Sequence, residues 1–216
     1  MDFELILRVF PFLFKAALVT VHVSVLSICL GLVIGSISAA ANFSRYSFVR
    51  WPARFYVSFF RGTPALIQLF ILYFGGPQIG INLEPMAAGV IGLGINIGAY
   101  MSESIRGAII AVDKGQIEAG RSLGLGKLQV QRKIIIPQAA RLMIRPIGVN
   151  SIGLIKGSVI VSTISVIELT FTAHRFISST YKPFELFIAA SALYLVIVSI
   201  VSFIVDRLDE HFALEV

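Results

Sequence analysis

The stretch Gln116-Ile117-Glu118-Ala119-Gly120-Arg121-Ser122-Leu123-Gly124, closed by Ile134-Ile135-Ile136-Pro137, is the polar exception in a strongly apolar chain. Its residue types suit docking rather than catalysis. Glu118 and Arg121 offer charge, Ala119 and Gly120 are small enough for close approach, and Gly124 can end a helix. Residues 111–145 carry Lys114, Arg121, Lys127, Arg132, Lys133, Arg141 and Arg145, seven of the 18 lysines and arginines. A connection that only joined two spans would need a handful of residues. This one is about 35 long, enough for a helix of its own.

A second set of chemistry-bearing residues lies inside apolar runs: Arg61, Glu103, Arg106, Lys156 and Glu168. Charge within a membrane is costly, and it is retained mainly where it is paired or functional. Asn96, Tyr100 and Glu103 are spaced i, i+4, i+7 and share one helix face. Glu103 and Arg106, at i, i+3, can pair. A zwitterionic solute needs groups for its amino and carboxylate ends together, and that face supplies part of them. Arg61, Asn96, Tyr100, Glu103, Lys156 and Glu168 are therefore candidates for lining a substrate path. The competing reading is mutual pairing, or snorkelling near a helix end.

Other chemistries are missing from the sequence. No G-x-x-x-x-G-K-[ST] loop is present to cradle nucleotide phosphates, and no H-E-x-x-H or G-x-S-x-G motif occurs. The histidines His22, His174 and His211 are scattered. His22 is expected to hydrogen-bond between helices. Cys29 is the only cysteine, so no internal disulfide or cysteine metal site can form, and a buried thiol is expected.

The elements that position these residues follow from composition. The chain has 216 residues, 56% hydrophobic and 14% charged, with a mean hydropathy of +0.87. Soluble domains carry about 25% charge, so this is an all-α polytopic membrane protein. A net charge of +6 is explained by basic loops facing anionic lipid, and no basic patch with interleaved aromatics suggests nucleic acid. Residues 1–11 read as a short interfacial helix, and Asp2 and Glu4 argue against a cleavable signal peptide. Five spans are expected: 12–41, 55–75, 86–112, 147–173 and 186–205. The second should break at Pro64, Gly31 and Gly35 suit close helix packing, 174–185 should be a loop and 207–216 a short tail. Arg45, Arg50, Arg54, the seven basic residues of 111–145 and Arg207 fall on one side; Arg8, Lys15, Arg175 and Lys182 fall on the other. The positive-inside rule puts the N-terminus outside, and the C-terminus and basic loop in the cytoplasm.

The spacing of Glu118, Ala119, Gly120, Gly124, Ile134, Ile136 and Pro137 resembles the E-A-A-x3-G-x9-I-x-L-P loop of permease subunits in binding-protein-dependent ABC importers. Gly120 for Ala and Ile136 for Leu are departures. Arg61-Gly62-Thr63-Pro64 with Gln68-Leu69, residues 96–106, and Ile136-Pro137-Gln138-Ala139 resemble the polar amino-acid uptake branch, which handles histidine, arginine, glutamine, glutamate and cystine. Gly80-Ile81 and Gly98-Ala99-Tyr100 lean toward cystine-type relatives. Leu154-Ile155-Lys156-Gly157-Ser158 resembles a family L-x-K-[DE]-[ST]-S pattern but has Gly157 where an acid is usual.

The resemblance implies a type I ABC importer permease fold, with residues 1–216 as one transmembrane domain and 111–145 as its cytoplasmic coupling loop. It implies a multi-pass protein of a bacterial inner membrane, a transport subunit rather than an enzyme. No cofactor is expected on this chain; ATP and Mg belong to two partner ATPase subunits. A second permease, identical or homologous, and an extracytoplasmic solute-binding protein complete the assembly. Glu118, Ala119, Gly120, Arg121, Gly124, Ile134 and Pro137 would contact the ATPase. The alternative is a stand-alone secondary transporter or channel, which five spans without an inverted repeat do not favour.

Overall fold

The computed structural model describes residues 2–212, and among these there is no strand. Eight helical segments follow in order: α1 (Phe3–Asn42), α2 (Ser47–Gly62), α3 (Ala65–Ile79), α4 (Pro85–Ile110), α5 (Lys114–Ser122), α6 (Lys127–Ile164), α7 (Leu169–Thr180) and α8 (Pro183–Phe212). Four are long and apolar enough to cross a membrane, and the bent pair α2–α3, taken as one broken span, would make five.

The interfacial helix expected over residues 1–11 does not exist separately. It is the start of α1, which runs 40 residues, about 60 Å at 1.5 Å per residue. Asp2 caps it by accepting the Leu5 N–H at 3.0 Å. Leu5, Val9, Leu13 and Ala17 form one buried row that carries the helix past Pro11 and packs against α7 and α8. Further along, the buried row turns small and polar: Thr20, Ser24, Ser27, Gly31, Gly35 and Ser38. His22 and Cys29 lie off this row and both are exposed on α1, so Cys29 is not the buried thiol expected, and His22 makes no interhelical hydrogen bond among the described residues.

The small row packs on α4. Ser27 Oγ donates to the Val90 carbonyl at 3.3 Å, and Ser102 Oγ donates to Ser38 Oγ at 3.1 Å. These partners rise together along both helices, so α1 and α4 run parallel. A Cβ on Gly31 would lie 2.3 Å from Ile97 Cγ2, and one on Gly35 would lie 2.9 Å from the Gly98 carbonyl oxygen. The expected close packing at Gly31 and Gly35 is therefore real, and α4 answers it with Gly94 and Gly98.

The expected break at Pro64 is a 108° bend between α2 and α3. The fourth span differs more from expectation. It begins at Lys127, well before 147, because a π turn over Gln131–Ile135 widens the helix just ahead of Pro137. It ends at Ile164, before 173. Ser158, Ser162 and Thr163 return their hydroxyls to the carbonyls of Ile155, Val159 and Ile160, tightening the last turns into a 3₁₀ helix. Ser165, at φ 69°, stops it.

Much of the loop expected over 174–185 is α7. α8 starts at Pro183 and continues to Phe212. Part of the expected tail is thus helical; residues 213–216 lie outside the described residues. Arg145 on α6 pairs with Asp209 on α8 at 3.0 Å. That contact, α5 and the C-terminal end of α1 gather at one end of the bundle, which is the basic end. The Asp2–Lys182 ion pair closes the other end.

Candidate functional site

α5 is a short helix made definite by its ends. Asp113 accepts the Gln116 N–H at 3.1 Å. At the other end Gly124 adopts φ +79°. The Leu125 N–H donates to the Gly120 carbonyl at 3.1 Å and the Gly124 N–H to the Arg121 carbonyl at 2.9 Å. That pattern is a Schellman motif, in which glycine bears the left-handed residue without a Cβ penalty. Gly120 is buried, facing Ile134, Leu125 and Val130. Glu118, Ala119 and Arg121 are exposed, and Leu123 is 83% exposed. Ile134 is half-buried beneath α5, while Pro137 is exposed at the start of the next helical stretch. The structure thus brings the two halves of the signature together through Gly120 and Ile134. The Asp113 cap was missed, although Asp followed three residues on by Gln is a legible helix-start signal.

The second candidate region grows from the bend at Thr63-Pro64. Breaking a helix in an apolar setting leaves carbonyls that something must satisfy. Thr63 Oγ1 donates to the Phe59 carbonyl at 2.8 Å. Gln68 Nε2 donates to the carbonyls of Phe60 and Thr63, both at 3.1 Å. Asn96 Nδ2 donates to the Phe60 carbonyl at 3.2 Å and to Gln68 Oε1 at 2.9 Å. Asn96 therefore ties α4 to the break.

One turn and more along the same face, Arg106 grips Glu103 with two hydrogen bonds, at 2.9 Å and 2.7 Å. Arg61 approaches the same carboxylate at 3.8 Å, and its guanidinium lies over the Tyr100 ring, 5.5 Å from the centroid. Two arginines and one glutamate leave a net positive charge. Two clefts of about 500 and 450 Å³ meet at Tyr100. Arg54, Ser58, Arg61 and Glu103 line the first. Asn96, Asn150, Gly153 and Gly157 line the second. Asn150, which sequence reasoning passed over, donates to Ser104 Oγ at 2.8 Å and joins α6 to α4. A polar wall with a partly free arginine and a clamped glutamate can meet the two ends of a zwitterion.

Lys156 and Glu168 are not part of this cluster. Lys156 is exposed and lines neither cleft. Glu168 is fully buried among α1, α7 and α8, where it caps α7. It accepts the Phe171 N–H at 2.8 Å, the Tyr194 hydroxyl at 2.9 Å and the Thr20 hydroxyl at 3.2 Å.

Comparison with known proteins decides what carries these sites. The family model described as binding-protein-dependent transport system inner membrane component matches residues 31–213. This chain belongs to that family. The permease is 38% identical over 210 residues to the probable amino-acid ABC transporter permease protein YckA of Bacillus subtilis (strain 168), covering 97% of this chain and 93% of the relative. It is 38% identical over 212 residues to the putative glutamine transport system permease protein GlnP of Rickettsia conorii, covering 96% and 97%. A crystal structure of an amino acid ABC transporter with histidines superposes with a TM-score of 0.93 at 34% identity, over 98% of this chain and 99% of that one. The MetNI methionine ABC transporter, in inward-facing form, shares the fold at a TM-score of 0.72 and 18% identity, over 93% and 94%.

The family and the permease fold expected from the sequence are thus borne out. The protein is a multi-pass inner-membrane permease and a transport subunit rather than an enzyme; in such systems the ATPase is a separate subunit and a binding protein supplies the solute.

Proposed function

We propose that this permease forms one half of an import path for a polar amino acid and receives its drive through α5. The basic end of the bundle faces the cytoplasm, because Arg45, Arg50, Arg54 and the 111–145 cluster gather there. The N-terminus then lies outside. The observation that carries the proposal is α5 itself: a helix fixed at both ends, standing at the basic end with Glu118, Ala119, Arg121 and Leu123 outward. Such a helix seats in a groove of an ATPase and moves as a unit with it. ATP and Mg are held by that partner, with two ATPases beneath two permeases, and a solute-binding protein delivers cargo at the Asp2–Lys182 end. Only contacts that differ between inward- and outward-facing states can couple the nucleotide to the path.

In the path, Arg61 is the group for a substrate carboxylate and Glu103, oriented by Arg106, the group for its ammonium. Tyr100 stands where the two clefts meet, and Asn96 holds the bend that shapes them. A second permease, identical or homologous, closes the open side. Support for an amino acid comes from this charge pattern together with the relatives' names; those names mention glutamine or amino acids in general and add nothing to the lean toward cystine.

The test is uptake into proteoliposomes holding permease, ATPase and binding protein. Glu118→Arg should leave membrane insertion unchanged and cut ATP-driven uptake at least about thirtyfold, the loss expected when a buried charged interface contact costs 2 kcal/mol or more. Full uptake by this variant removes α5 as the drive. Arg61→Gln should lower uptake while leaving basal ATP hydrolysis intact.

A further inference from the structure

A cleft between α1 and α7 lies at the end of the bundle away from α5, and import as proposed above makes no use of it. It encloses about 600 Å³. Its walls are largely apolar, with Phe12, Val19, Ile167 and Phe176 among them. The Phe12 and Phe176 rings meet across it at 5.5 Å. Lys15 on α1 and Arg175 on α7 stand at its rim, both exposed. Neither has an acidic partner among the described residues, and no acid lines the cleft. Thr172, in the same wall, is 8% exposed. Its Oγ1 is the one buried side-chain oxygen or nitrogen among the described residues without a hydrogen-bond partner.

An apolar slot, two uncompensated cations at its mouth and an unmet hydroxyl in its wall together describe a receptor for an amphiphile with an anionic head. A free anion would use the cations and leave the apolar walls bare. An acidic protein loop would do the same. Along α1, Lys15 stands 27 residues before the helix ends at Asn42, about 40 Å, which exceeds the roughly 30 Å hydrocarbon core and puts it at the depth of headgroups. We propose that this cleft binds an anionic phospholipid, its phosphate between Lys15 and Arg175 and an acyl chain along Phe12, Val19 and Ile167. The lipid braces α7 against α1. Which leaflet supplies it, the outer one, rests on the orientation proposed above; the binding itself does not.

The experiment is native mass spectrometry and thermal unfolding of the full-length permease in its complex, delipidated and then given dioleoyl-phosphatidylglycerol, dioleoyl-phosphatidylcholine or inorganic phosphate. Phosphatidylglycerol should be retained and raise the Tm; phosphatidylcholine and inorganic phosphate should not. Lys15→Gln and Arg175→Gln should each weaken phosphatidylglycerol retention about fivefold, the loss expected for one cation near a headgroup. Both residues are exposed, so folding should survive. Thr172→Val should raise the Tm without lipid and shrink the gain from phosphatidylglycerol. The proposal is overturned if the charge variants retain phosphatidylglycerol fully, or if inorganic phosphate stabilises as well as the lipid. It is overturned too if the charge variants lose the solute-binding protein while keeping the lipid.

Discussion

Gly120 and Ile134 interlock: a Cβ on Gly120 would lie 2.4 Å from Ile134 Cδ1. The first and last parts of the loop signature are therefore one packing contact folded back across the turn at Gly124. Alanine at position 120 would favour the helix by about 1 kcal/mol, yet its methyl displaces Ile134. Ile134→Val removes the obstructing atom. Gly120→Ala alone should reduce ATP-driven uptake, and Gly120→Ala with Ile134→Val should restore it. A double-mutant cycle on unfolding should give a coupling of about 0.5–3 kcal/mol. Additive effects would dissolve the link between the two halves.

Gly124 occupies a left-handed position at φ +79°. Gly124→Ala should destabilise the end of α5 by about 1–2 kcal/mol, and Gly124→Asn by less. Hydrogen exchange at the α5 amides should rank glycine slowest, then asparagine, then alanine. Uptake should follow that order, and identical exchange in all three would contradict it.

At Gly35 a Cβ would meet backbone, 2.9 Å from the Gly98 carbonyl oxygen, whereas Gly107 has nothing within 4 Å. Gly35→Ala should cost about 1–3 kcal/mol through overpacking. Gly107→Ala should be neutral or stabilising by up to about 1 kcal/mol. Thermal unfolding in detergent distinguishes them, and equal Tm values would mean α1 and α4 yield more easily than their contact implies.

Glu168→Ala removes a helix cap and the carboxylate that accepts from the Thr20 and Tyr194 hydroxyls, leaving them the Ala16 carbonyl and Thr170 Oγ1, a loss of about 2–3 kcal/mol. Glu168→Gln keeps an acceptor for the Phe171 N–H and should cost less than half of that. Because Glu168 lines neither cleft, uptake per folded molecule should be normal in the glutamine variant. A specific fall in substrate affinity would return Glu168 to the path.

The Asp2–Lys182 pair sets a pH window. The Lys182 ammonium, and then the Leu5 N–H, hold the Asp2 carboxyl below its ordinary 3.8. The hydrogen bond to Asp2 lifts Lys182 above its ordinary 10.5. A lowered acid contributes stability above its unfolded pKa and loses it as pH falls through the folded one. A raised base contributes below its unfolded pKa and loses it as pH rises through the folded one. The tie between α1 and the α7–α8 turn should thus persist between 3.8 and 10.5 and loosen outside that range. Exchange at the first amides of α1 should show this; Lys182→Ala should abolish the basic limb and shrink the acid limb to what the Leu5 N–H sustains, and the pair is exposed, so salt should weaken it.

Much of this was legible because membranes enforce simple patterns. Long apolar runs gave the crossings, Pro64 gave the bend, and Gly31 and Gly35 gave a close contact. The i, i+4, i+7 spacing placed Asn96, Tyr100 and Glu103 on one face. What escaped depended on partners remote in sequence. Lys156 and Glu168 look alike as charges in an apolar run, but only packing shows that one is exposed and the other caps a buried helix start with help from Thr20 and Tyr194. The end of α6 at Ile164 was hidden because hydroxyls returning to their own backbone leave no change in hydropathy. His22 and Cys29 were misplaced because the buried side of α1 is written in serine and glycine.

The run from Lys127 to Ile164 is helical over 38 residues, passing through a π turn near its start and tightening to a 3₁₀ end. It begins beside α5 and stops at Ser165, in the far half of the bundle. A strut of that kind transmits along its axis: a shove at the foot beside α5 arrives at the head as displacement. Past the turn at Ser165, α7 is held to α1 and α8 by Leu169, Ala173 and the Glu168 cap, so a push carried by α6 would move these helices together.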